Sequence, residues 1–339
     1  MYKKSEHDID FVITWVNGTD PAWVQEKEKY NPTIHMDDST VRYRDWGTLK
    51  YLLRSIEKFA PWVRSVFLVT NGQVPQWLNL ECKKLKLVKH SDFIPQEYLP
   101  TFNPQTIEWH LHKIEGLSEN FVYFNDDVIL ANHVKPNDFF ENDLPKDAFG
   151  LGMVRPTELF SRIAFNNICV LNKHFAFKET LKKNRNKFFR LNYGQRLWKS
   201  LILSKQKCFY GMYDPHITLS FKKTYFDLLW KTEQKLIEDT CKNKFRSQND
   251  ITIWLVRYWQ LLKGDFIPRS VNFGQAYSIH QFVQNKNSKK ELKKGKYKVV
   301  CVNDSEKGDV EFNYEQNLFR DIMETILSEK CCFENNKEL

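Results

Sequence analysis

The sequence predicts an α/β protein built around a mainly parallel β-sheet. Four short apolar runs, three of them rich in β-branched and aromatic residues, alternate with segments that show helical spacing. The first, second and fourth runs each end in a polar turn, which begins at Asn17, Asn71 and Asn125 respectively. Buried strands joined by helical crossovers imply a parallel sheet with helices on both faces.

Each element of the first half follows from its own local pattern. Apolar residues recur at helical spacing from Leu49 to Phe59, and Pro61 then stops that helix. A second helix is predicted over about 104–114, just before the fourth strand. The predicted strands cover residues 10–16, 65–70, 85–88 and 121–124.

The second half of the chain is predicted to be mostly helical, because apolar stripes recur there at helical spacing. The predicted elements are a helical stretch over 160–210, helices over 224–238 and 250–262, a Lys-rich loop over 286–298, a strand over 297–302 and a last helix from about Asn313 with Gln316 in a weak capping box. We therefore expect one large domain over 1–310, with a mostly helical segment at about 160–265. A C-terminal helix and tail over 311–339 follow it.

Composition and charge limit the classes of protein to which this chain can belong. The chain has 339 residues, of which 42% are hydrophobic and 15% aromatic, enough to bury a sizeable core. The net charge of +9 indicates an anionic partner and leaves a nucleotide sugar, a nucleic acid and an acidic membrane surface open. The N-terminus carries no apolar leader and no stretch of eighteen apolar residues occurs, so we expect a soluble or peripheral protein.

The cysteines indicate a reducing environment. Seven are present, an odd number, and no two form a Cys-x-x-Cys pair. That pattern suits neither a disulfide framework nor a zinc site. We therefore expect the cysteines to serve mostly as small apolar residues in a cytosolic protein.

Two acidic strand ends are the most informative local features. Asp126 and Asp127 follow the fourth strand, at the edge where parallel α/β sheets bind their ligands. Two adjacent carboxylates there can hold Mg²⁺ or Mn²⁺ against a diphosphate. Asn303 and Asp304 repeat the arrangement after the late strand. A turn-forming Asn/Asp cluster accounts for the same residues, so both interpretations stay open.

Arg246 and His216 are the remaining candidates for chemistry. Arg246 precedes a predicted helix, where a guanidinium can fork two hydrogen bonds onto a phosphate. His216 follows Asp214-Pro215 and could take a proton from an attacking hydroxyl. A surface arginine and a packed histidine are the plainer alternatives. Gly-rich phosphate loops, nucleophile elbows, His-Glu-x-x-His and RNA-binding signatures do not occur.

Four stretches of the chain, in a fixed order, carry a resemblance to a known family. They are residues 10–21, with Asn17-Gly18-Thr19-Asp20-Pro21; residues 42–78 together with Phe124-Asn125-Asp126-Asp127-Val128; Pro215-His216 with residues 245–250; and Cys301-Val302-Asn303-Asp304-Ser305. These stretches resemble the Stealth family. That family includes bacterial capsule hexose-1-phosphate transferases and the catalytic subunit of animal lysosomal N-acetylglucosamine-1-phosphotransferase.

The resemblance spans most of residues 8–305 and implies a function. It implies a Rossmann-like core of the glycosyltransferase-A type, a nucleotide-diphosphate-sugar donor, a divalent cation, and attack on the phosphate next to the sugar. The third stretch departs from the family in one respect. It reads His216-Ile217-Thr218, where the family usually has His-Met-Pro or a similar sequence.

The resemblance also implies a set of site residues. The metal ligands would be Asp126, Asp127 and Asp304, with Mg²⁺ or Mn²⁺ as the cofactor. The catalytic residues would be Asp127, His216, Arg246 and Asp304. The donor-binding residues would be Asn17, Gly18, Thr19, Arg44, Asn71 and Asn125.

We therefore predict a phosphotransferase that builds capsular or cell-surface polysaccharide. It would move a hexose- or N-acetylhexosamine-1-phosphate from a UDP-sugar, such as UDP-GlcNAc or another UDP-hexose, to a hydroxyl of an oligo- or polysaccharide. The products would be a phosphodiester and UMP. We expect a cytoplasmic protein with no nucleic-acid partner. Peripheral contact with the inner face of the cytoplasmic membrane, or with capsule assembly proteins, is left open.

Three alternatives remain at this point. A metal-dependent glycosyltransferase would use the same acidic motif and release UDP. A nucleotidyltransferase would make nucleotide sugars. A basic nucleic-acid- or membrane-binding module would have no catalytic activity and would bind its partner in a strongly salt-dependent way.

Overall fold

The computed structural model describes residues 8–30, 43–155, 159–304 and 309–335. Arg42 and Ser305, which belong to two of the resembling stretches, lie outside the described residues. The strands are β1 Ile9–Thr14, β2 Val66–Thr70, β3 Leu85–Lys89, β4 Asn120–Asn125, β5 Val128–Leu130, β6 Phe140–Glu141, β7 Leu144–Asp147, β8 Leu219–Lys222, β9 Ile267–Pro268, β10 Gly274–Ser278 and β11 Val299–Asn303. The helices are α1 Pro21–Tyr30, α2 Thr48–Phe59, α3 Pro104–His110, α4 Pro136–Phe139, α5 Leu159–His174, α6 Phe177–Lys183, α7 Arg185–Phe188, α8 Gln195–Leu203, α9 Lys223–Thr232, α10 Gln234–Lys242, α11 Trp254–Lys263, α12 Ile279–Gln284, α13 Lys286–Lys293 and α14 Asp309–Ile326.

The central sheet has five strands in the order β3-β2-β1-β4-β8. The first four are parallel, and β8 runs antiparallel to β4 at the edge. The predicted α/β fold with a mainly parallel sheet is therefore confirmed. The chain leaves β1 toward β2 on one side and returns to β4 on the other, so the carboxyl ends of β1 and β4 flank the crevice where such sheets bind ligands.

Helices cover both faces of this sheet, as the buried strands require. Along β1, Phe11 and Ile13 point into one apolar layer, which also holds Leu52 and Ile56 of α2. Val12 points into the opposite layer, which holds the middle helical segment and α11. The alternation follows from the two-residue period of a strand and fixes which side chains of β4 face each layer.

A second, three-stranded sheet joins the carboxyl edge of the first. Its order is β10-β11-β5, and β11 runs antiparallel to β5. Because β5 begins at Val128, directly after Asp127, the end of β11 returns to the end of β4. The Val302 amide donates to the Asp127 carbonyl at 2.9 Å, and this hydrogen bond links β11 to the turn that follows β4. A third small sheet has the order β6-β7-β9.

Several predicted elements need correction in the second half. The predicted helix over 224–238 is two helices, α9 and α10, with a break at Glu233. The predicted loop over 286–298 contains helix α13. Asn285 caps its N-terminus, because the Asn285 side chain accepts a hydrogen bond from the Asn287 amide. The predicted helix over 250–262 begins later, at Trp254, and the last helix begins earlier, at Asp309 rather than Asn313. The helical character of 160–210 is confirmed by α5 to α8.

The C-terminal helix and tail are part of the same core. Phe319 and Met323 of α14 pack in the layer that holds α2. Arg54 of α2 is buried and donates to both carboxylate oxygens of Glu334, at 2.7 and 2.9 Å. The tail therefore docks on α2 through a buried ion pair with two hydrogen bonds. Within the described residues, no helix is long and apolar enough to cross a membrane.

Candidate active site

The sheet topology gathers acidic residues at one edge. Thr14, the last residue of β1, is in register with Asn125, the last residue of β4. Asp126 and Asp127 form the turn that leads from β4 into β5, and both are only partly buried. Since this turn lies beside the crevice between β1 and β4, its carboxylates line the expected ligand position.

Burial raises the pKa of both carboxyl groups. For Asp126, the pKa is raised well above the ordinary value by burial first, and then by repulsion from Asp127 and Asp45. Burial also raises the pKa of Asp127, against the opposing attraction of His216. The Asp127 Oδ1 atom is buried and has no hydrogen-bond partner among the described residues. Two neighbouring carboxylates thus repel that of Asp126, an arrangement that would favour a bound cation.

His216 lies beside the acidic turn because β8 is antiparallel to β4. The start of β8 meets the end of β4, so the residues just before Leu219 reach the same edge. His216 Nε2 lies 4.0 Å from Asp127 Oδ2, and the imidazole is 48% exposed. Its backbone φ is +48°, a left-handed conformation that a non-glycine residue rarely adopts. Such strain is typical of positions where a side chain is held for function.

A buried network holds the segment that carries His216. The Tyr258 hydroxyl donates to Asp214, at 2.7 Å from each carboxylate oxygen. The fully buried Arg257 donates to the Tyr213 carbonyl at 2.7 Å and also to Asp214. Asp147 accepts two further hydrogen bonds from the same guanidinium. This network offsets the strain at His216, because the preceding residues cannot relax without breaking buried charged contacts.

The donor atoms of Asp127, His216 and Cys301 all lie within 4.8 Å of one another, a group that could hold a metal ion. The cluster offers one oxygen, one nitrogen and one sulfur atom. Mg²⁺ prefers oxygen ligands, whereas a mixed set suits a softer ion. The uncompensated Asp127 Oδ1 and the raised pKa of Asp126 fit a divalent cation held by oxygen atoms of the acidic turn.

Asp304 lies close to this turn but faces an arginine. Its two carboxylate oxygens accept from Arg44 Nε and Nη2, at 3.1 and 3.3 Å. Both side chains are largely buried, and the Arg44 guanidinium also stacks on Phe312 at 4.6 Å. The guanidinium therefore already offsets the negative charge of Asp304. The metal role of Asp304 and the donor-binding role of Arg44 stay predictions.

The predicted donor-side residues form a compact turn after β1. The Asn17 side chain accepts from the Thr19 amide at 3.0 Å and from the Thr19 hydroxyl at 2.7 Å. Gln73, in the turn after β2, exchanges hydrogen bonds of 2.9 and 3.0 Å with the Asn17 backbone. The Asn71 side chain accepts from the Gln73 amide at 3.3 Å. The two polar turns are therefore joined at the carboxyl edge.

Gly18 has a packing reason to be glycine. Its amide donates to the Tyr43 carbonyl at 3.2 Å. A Cβ atom at this position would lie 2.2 Å from that same oxygen. The close approach of two backbone segments thus explains this glycine, and its predicted contact with the donor stays a prediction.

Arg246 lies in a loop that Asp250 holds in shape. The buried Asp250 carboxylate accepts from the side chains of Asn243 and Asn103, at 2.7 and 2.9 Å, and from the Ser247 amide at 2.8 Å. The predicted position of Arg246 directly before a helix is wrong, since α11 begins at Trp254. A buried carboxylate, rather than a helix N-terminus, fixes the loop.

Glu108 of α3 is a functional candidate that the sequence analysis missed. Tyr123 of β4 donates to Glu108 at 3.0 Å and also contacts the Thr14 hydroxyl at 2.9 Å. Burial raises the pKa of Glu108 to about 7, while Tyr123 and the positive charge of Arg246 act in the opposite direction. The same Tyr123 feels the charge of Asp126. Electrostatic interactions and the Tyr123 hydrogen bond thus relate Glu108 both to Arg246 and to the acidic turn.

One sequence signal for Glu108 was available. It is the only acidic residue of α3 and lies between Ile107 and Trp109, in a helix that must pack on the sheet. An isolated carboxylate at such a position is surrounded by apolar side chains, and it titrates near neutral pH for that reason.

Replacing Glu108 with Gln is expected to stabilise the fold at alkaline pH, by up to about 3 kcal/mol. The pKa of Glu108 is raised from 4.5 to about 7, so the parent chain loses stability as the pH rises through that interval. The amide of Gln cannot ionise and avoids this loss. Urea unfolding at about pH 5 and about pH 8 measures the difference. The exposed Glu115→Gln is the control, and a difference that does not grow with pH contradicts the assignment.

The sequence matches two conserved regions of a known family. The description "Stealth protein CR2, conserved region 2" matches residues 42–147, and "Stealth protein CR1, conserved region 1" matches residues 7–34. The chain is 42% identical to a capsular polysaccharide phosphotransferase WcwK of Streptococcus pneumoniae, over 98% of this chain and 99% of that protein. It is 37% identical to the exopolysaccharide phosphotransferase cps2G of Lactiplantibacillus plantarum, over 98% of each.

A further relative and a solved structure complete the comparison. The receptor polysaccharide phosphotransferase WefC of Streptococcus gordonii is 37% identical, over 96% of this chain and 98% of that protein. A crystal structure of the galactosyltransferase LgtC with donor and acceptor sugar analogues aligns over 94% of this chain and 96% of its own. The TM-score is 0.39 and the identity 10%. By its near full-length identity to these phosphotransferases and its two matched conserved regions, the chain is a transferase that belongs to the Stealth family.

Proposed function

We propose that the protein transfers a sugar-1-phosphate from a UDP-sugar to a carbohydrate hydroxyl, releasing UMP and forming a phosphodiester in a surface polysaccharide. One observation carries the proposal. The strained His216 lies 4.0 Å from a carboxylate of the Asp126-Asp127 turn, at the ligand-binding edge of the sheet. The relatives named above are polysaccharide phosphotransferases, which supports this reaction class.

The acidic turn supplies the place for a divalent cation. A bound Mg²⁺ or Mn²⁺ would neutralise the diphosphate of the donor, and Asp126 and Asp127 would hold it. Repulsion from Asp127 helps to raise the pKa of Asp126, and a bound cation would offset that repulsion. Phosphoryl transfer needs mainly positioning and charge stabilisation, which is what these residues can provide.

His216 is the proposed proton acceptor for the attacking hydroxyl. Its imidazole is partly exposed and therefore reachable by an acceptor, and Asp127 lies on its other side. A carboxylate beside an imidazole stabilises the imidazolium that forms when the proton is taken. The buried contacts of Asp214 keep the ring at this position throughout.

Arg246 is the proposed partner of the transferred phosphoryl group. Its planar guanidinium can donate two parallel hydrogen bonds to phosphate oxygens. Glu108 is close enough to interact electrostatically with Arg246. The Asp250 network holds the loop that carries Arg246 in one shape.

The departing nucleotide is expected to be UMP. If the acceptor hydroxyl attacks the phosphate that bears the sugar, the sugar keeps that phosphate and the anomeric configuration is retained. Incubation with UDP-sugars and polysaccharide fragments, followed by chromatography and phosphorus NMR, would show UMP and a phosphodiester. Acceptor-dependent release of UDP would instead identify a glycosyltransferase and defeat the proposal. A denatured sample and a reaction without acceptor serve as controls.

The donor, the acceptor and the location complete the proposal. UDP-GlcNAc or another UDP-hexose is the proposed donor, and an oligo- or polysaccharide the acceptor. A protein that uses nucleotide sugars works where these are made, so we place it at the cytoplasmic side of the membrane.

A further inference from the structure

The positive charge of the chain is concentrated in one segment. Residues 180–213 contain nine Lys and Arg residues and no Asp or Glu. The whole chain has 51 basic and 42 acidic residues, so the remainder is balanced, with 42 of each. These 34 of the 339 residues therefore account for the entire net charge of +9.

The same segment exposes large apolar side chains. Leu191 is 89% exposed, Trp198 69% and Ile202 68%, and Leu201 and Tyr210 are also exposed. Exposed single apolar residues are ordinary, but a group of them within a basic segment is not. We call these residues, together with the exposed cations of the same segment, the basic apolar face. Its cations are Lys182, Lys183, Arg185, Arg190, Lys199, Lys205 and Lys207.

Helix α8 shows that this exposure is built into the fold. Its inner side is fixed by buried Leu197 and by Ser200, whose hydroxyl accepts from the Leu151 amide at 3.0 Å. Trp198, Leu201 and Ile202 are spaced at i, i+3 and i+4, so they share the outward side. Buried contacts hold the inner side of the helix in place. Its outer side therefore exposes an apolar stripe that is flanked by cations.

We infer that the basic apolar face docks on the surface of an anionic lipid bilayer. Tryptophan and aliphatic side chains on an interfacial helix enter the boundary between headgroups and acyl chains. Lys and Arg beside them attract anionic phospholipid headgroups. A second copy of the chain does not suit this surface, because a self-complementary contact would bring seven exposed cations against seven others.

Docking through this face would act on the active site directly. The Arg196 guanidinium of α8 lies over the Tyr213 ring at 4.2 Å. Tyr213 lies three residues before His216 and is held by Arg257. The helix at the membrane is therefore packed against the segment that carries His216. Docking would therefore present the active site to acceptors at the membrane surface. Only this step rests on the proposed function.

Vesicle flotation of the purified full chain tests the inference. Vesicles of phosphatidylcholine with about 30% phosphatidylglycerol should carry the protein, whereas pure phosphatidylcholine should not. Binding should weaken at least about tenfold when salt rises from about 0.05 M to about 0.5 M. Protection from hydrogen exchange should appear in residues 191–203 on binding. No nucleotide sugar is present, so this result is independent of the proposed reaction.

Matched variants decide whether this face is responsible. Trp198→Ser with Ile202→Ser, and separately Lys199→Glu with Lys205→Glu, should each weaken vesicle binding at least about tenfold. The control, Val310→Ser with Tyr314→Ser, changes two exposed residues of α14, in the opposite layer, and should bind like the parent. Absence of binding to anionic vesicles, or equal binding by all variants, overturns the inference. So does self-association that the face variants abolish.

Discussion

Replacing Asp127 with Asn is expected to lower kcat at least about a thousandfold while the protein remains folded. The amide has the same size but removes the charge that faces His216 and the neighbouring Asp126. Asp126→Asn should have an effect of similar size, because both carboxylates belong to the turn that would hold the cation. Steady-state rates with saturating Mg²⁺ or Mn²⁺ measure the loss.

Stability distinguishes this loss from unfolding. The pKa of Asp126 and of Asp127 is raised in the folded protein, so their ionisation costs stability as the pH rises above the ordinary aspartate value. Each Asn variant should therefore be at least as stable as the parent at neutral pH. The control is Asp239→Asn, which removes an exposed surface ion pair with Lys242 and should leave kcat unchanged. Near-parental rates in both turn variants would show that the acidic turn is not catalytic.

The position of the acidic turn could be predicted because it depends on local signals. Strands β1, β2, β3 and β4 were all predicted within two residues of their observed ends, since each is a short apolar run and three of the four end in a polar turn. In a parallel sheet the strand ends share one edge, so Asn17, Asn71 and Asp126 had to lie on the same side. No tertiary information was needed for that step.

The neighbourhood of His216 could not be derived in this way. It depends on β8, a four-residue strand that runs antiparallel to β4 although it follows about ninety residues later. Four residues carry too little periodicity to predict a strand, and nothing local specifies its direction. Only the resemblance to the Stealth family singled out His216, and only the fold explains why it lies beside Asp127.

A sequence motif also does not show which charged residues pair in the fold. Asp304 resembles Asp126 in sequence, as an acidic residue after a strand, but the two differ in their partners. Asp304 is held by Arg44, whereas Asp126 is repelled by Asp127 and Asp45. Arg44 lies 260 positions away, so spacing could not reveal the pair. An acidic residue at a strand end therefore does not by itself reveal whether a distant residue offsets its charge.

His216→Gln is expected to lower kcat about a hundredfold to ten-thousandfold, the usual contribution of a general base. Glutamine retains a polar side chain of similar reach but cannot accept the proton of the attacking hydroxyl. The position is already strained at φ +48°, and the buried contacts of Asp214 should hold the segment in the variant as well. The exposed His133, which packs on Phe59 away from the site, provides a matched His→Gln control.

The dependence of this variant on the cation separates two roles for His216. Its imidazole is one of three donors within 4.8 Å of one another, so it could also be a metal ligand. A ligand role requires that higher concentrations of Mg²⁺ or Mn²⁺ restore most of the rate, because only cation affinity is lost. A base role requires that kcat stays low at saturating cation. We expect the second result, since the 48% exposed ring remains accessible to an acceptor hydroxyl. Rescue by added cation would reassign His216 to the metal site and leave the proton to Glu108, whose pKa of about 7 suits that task.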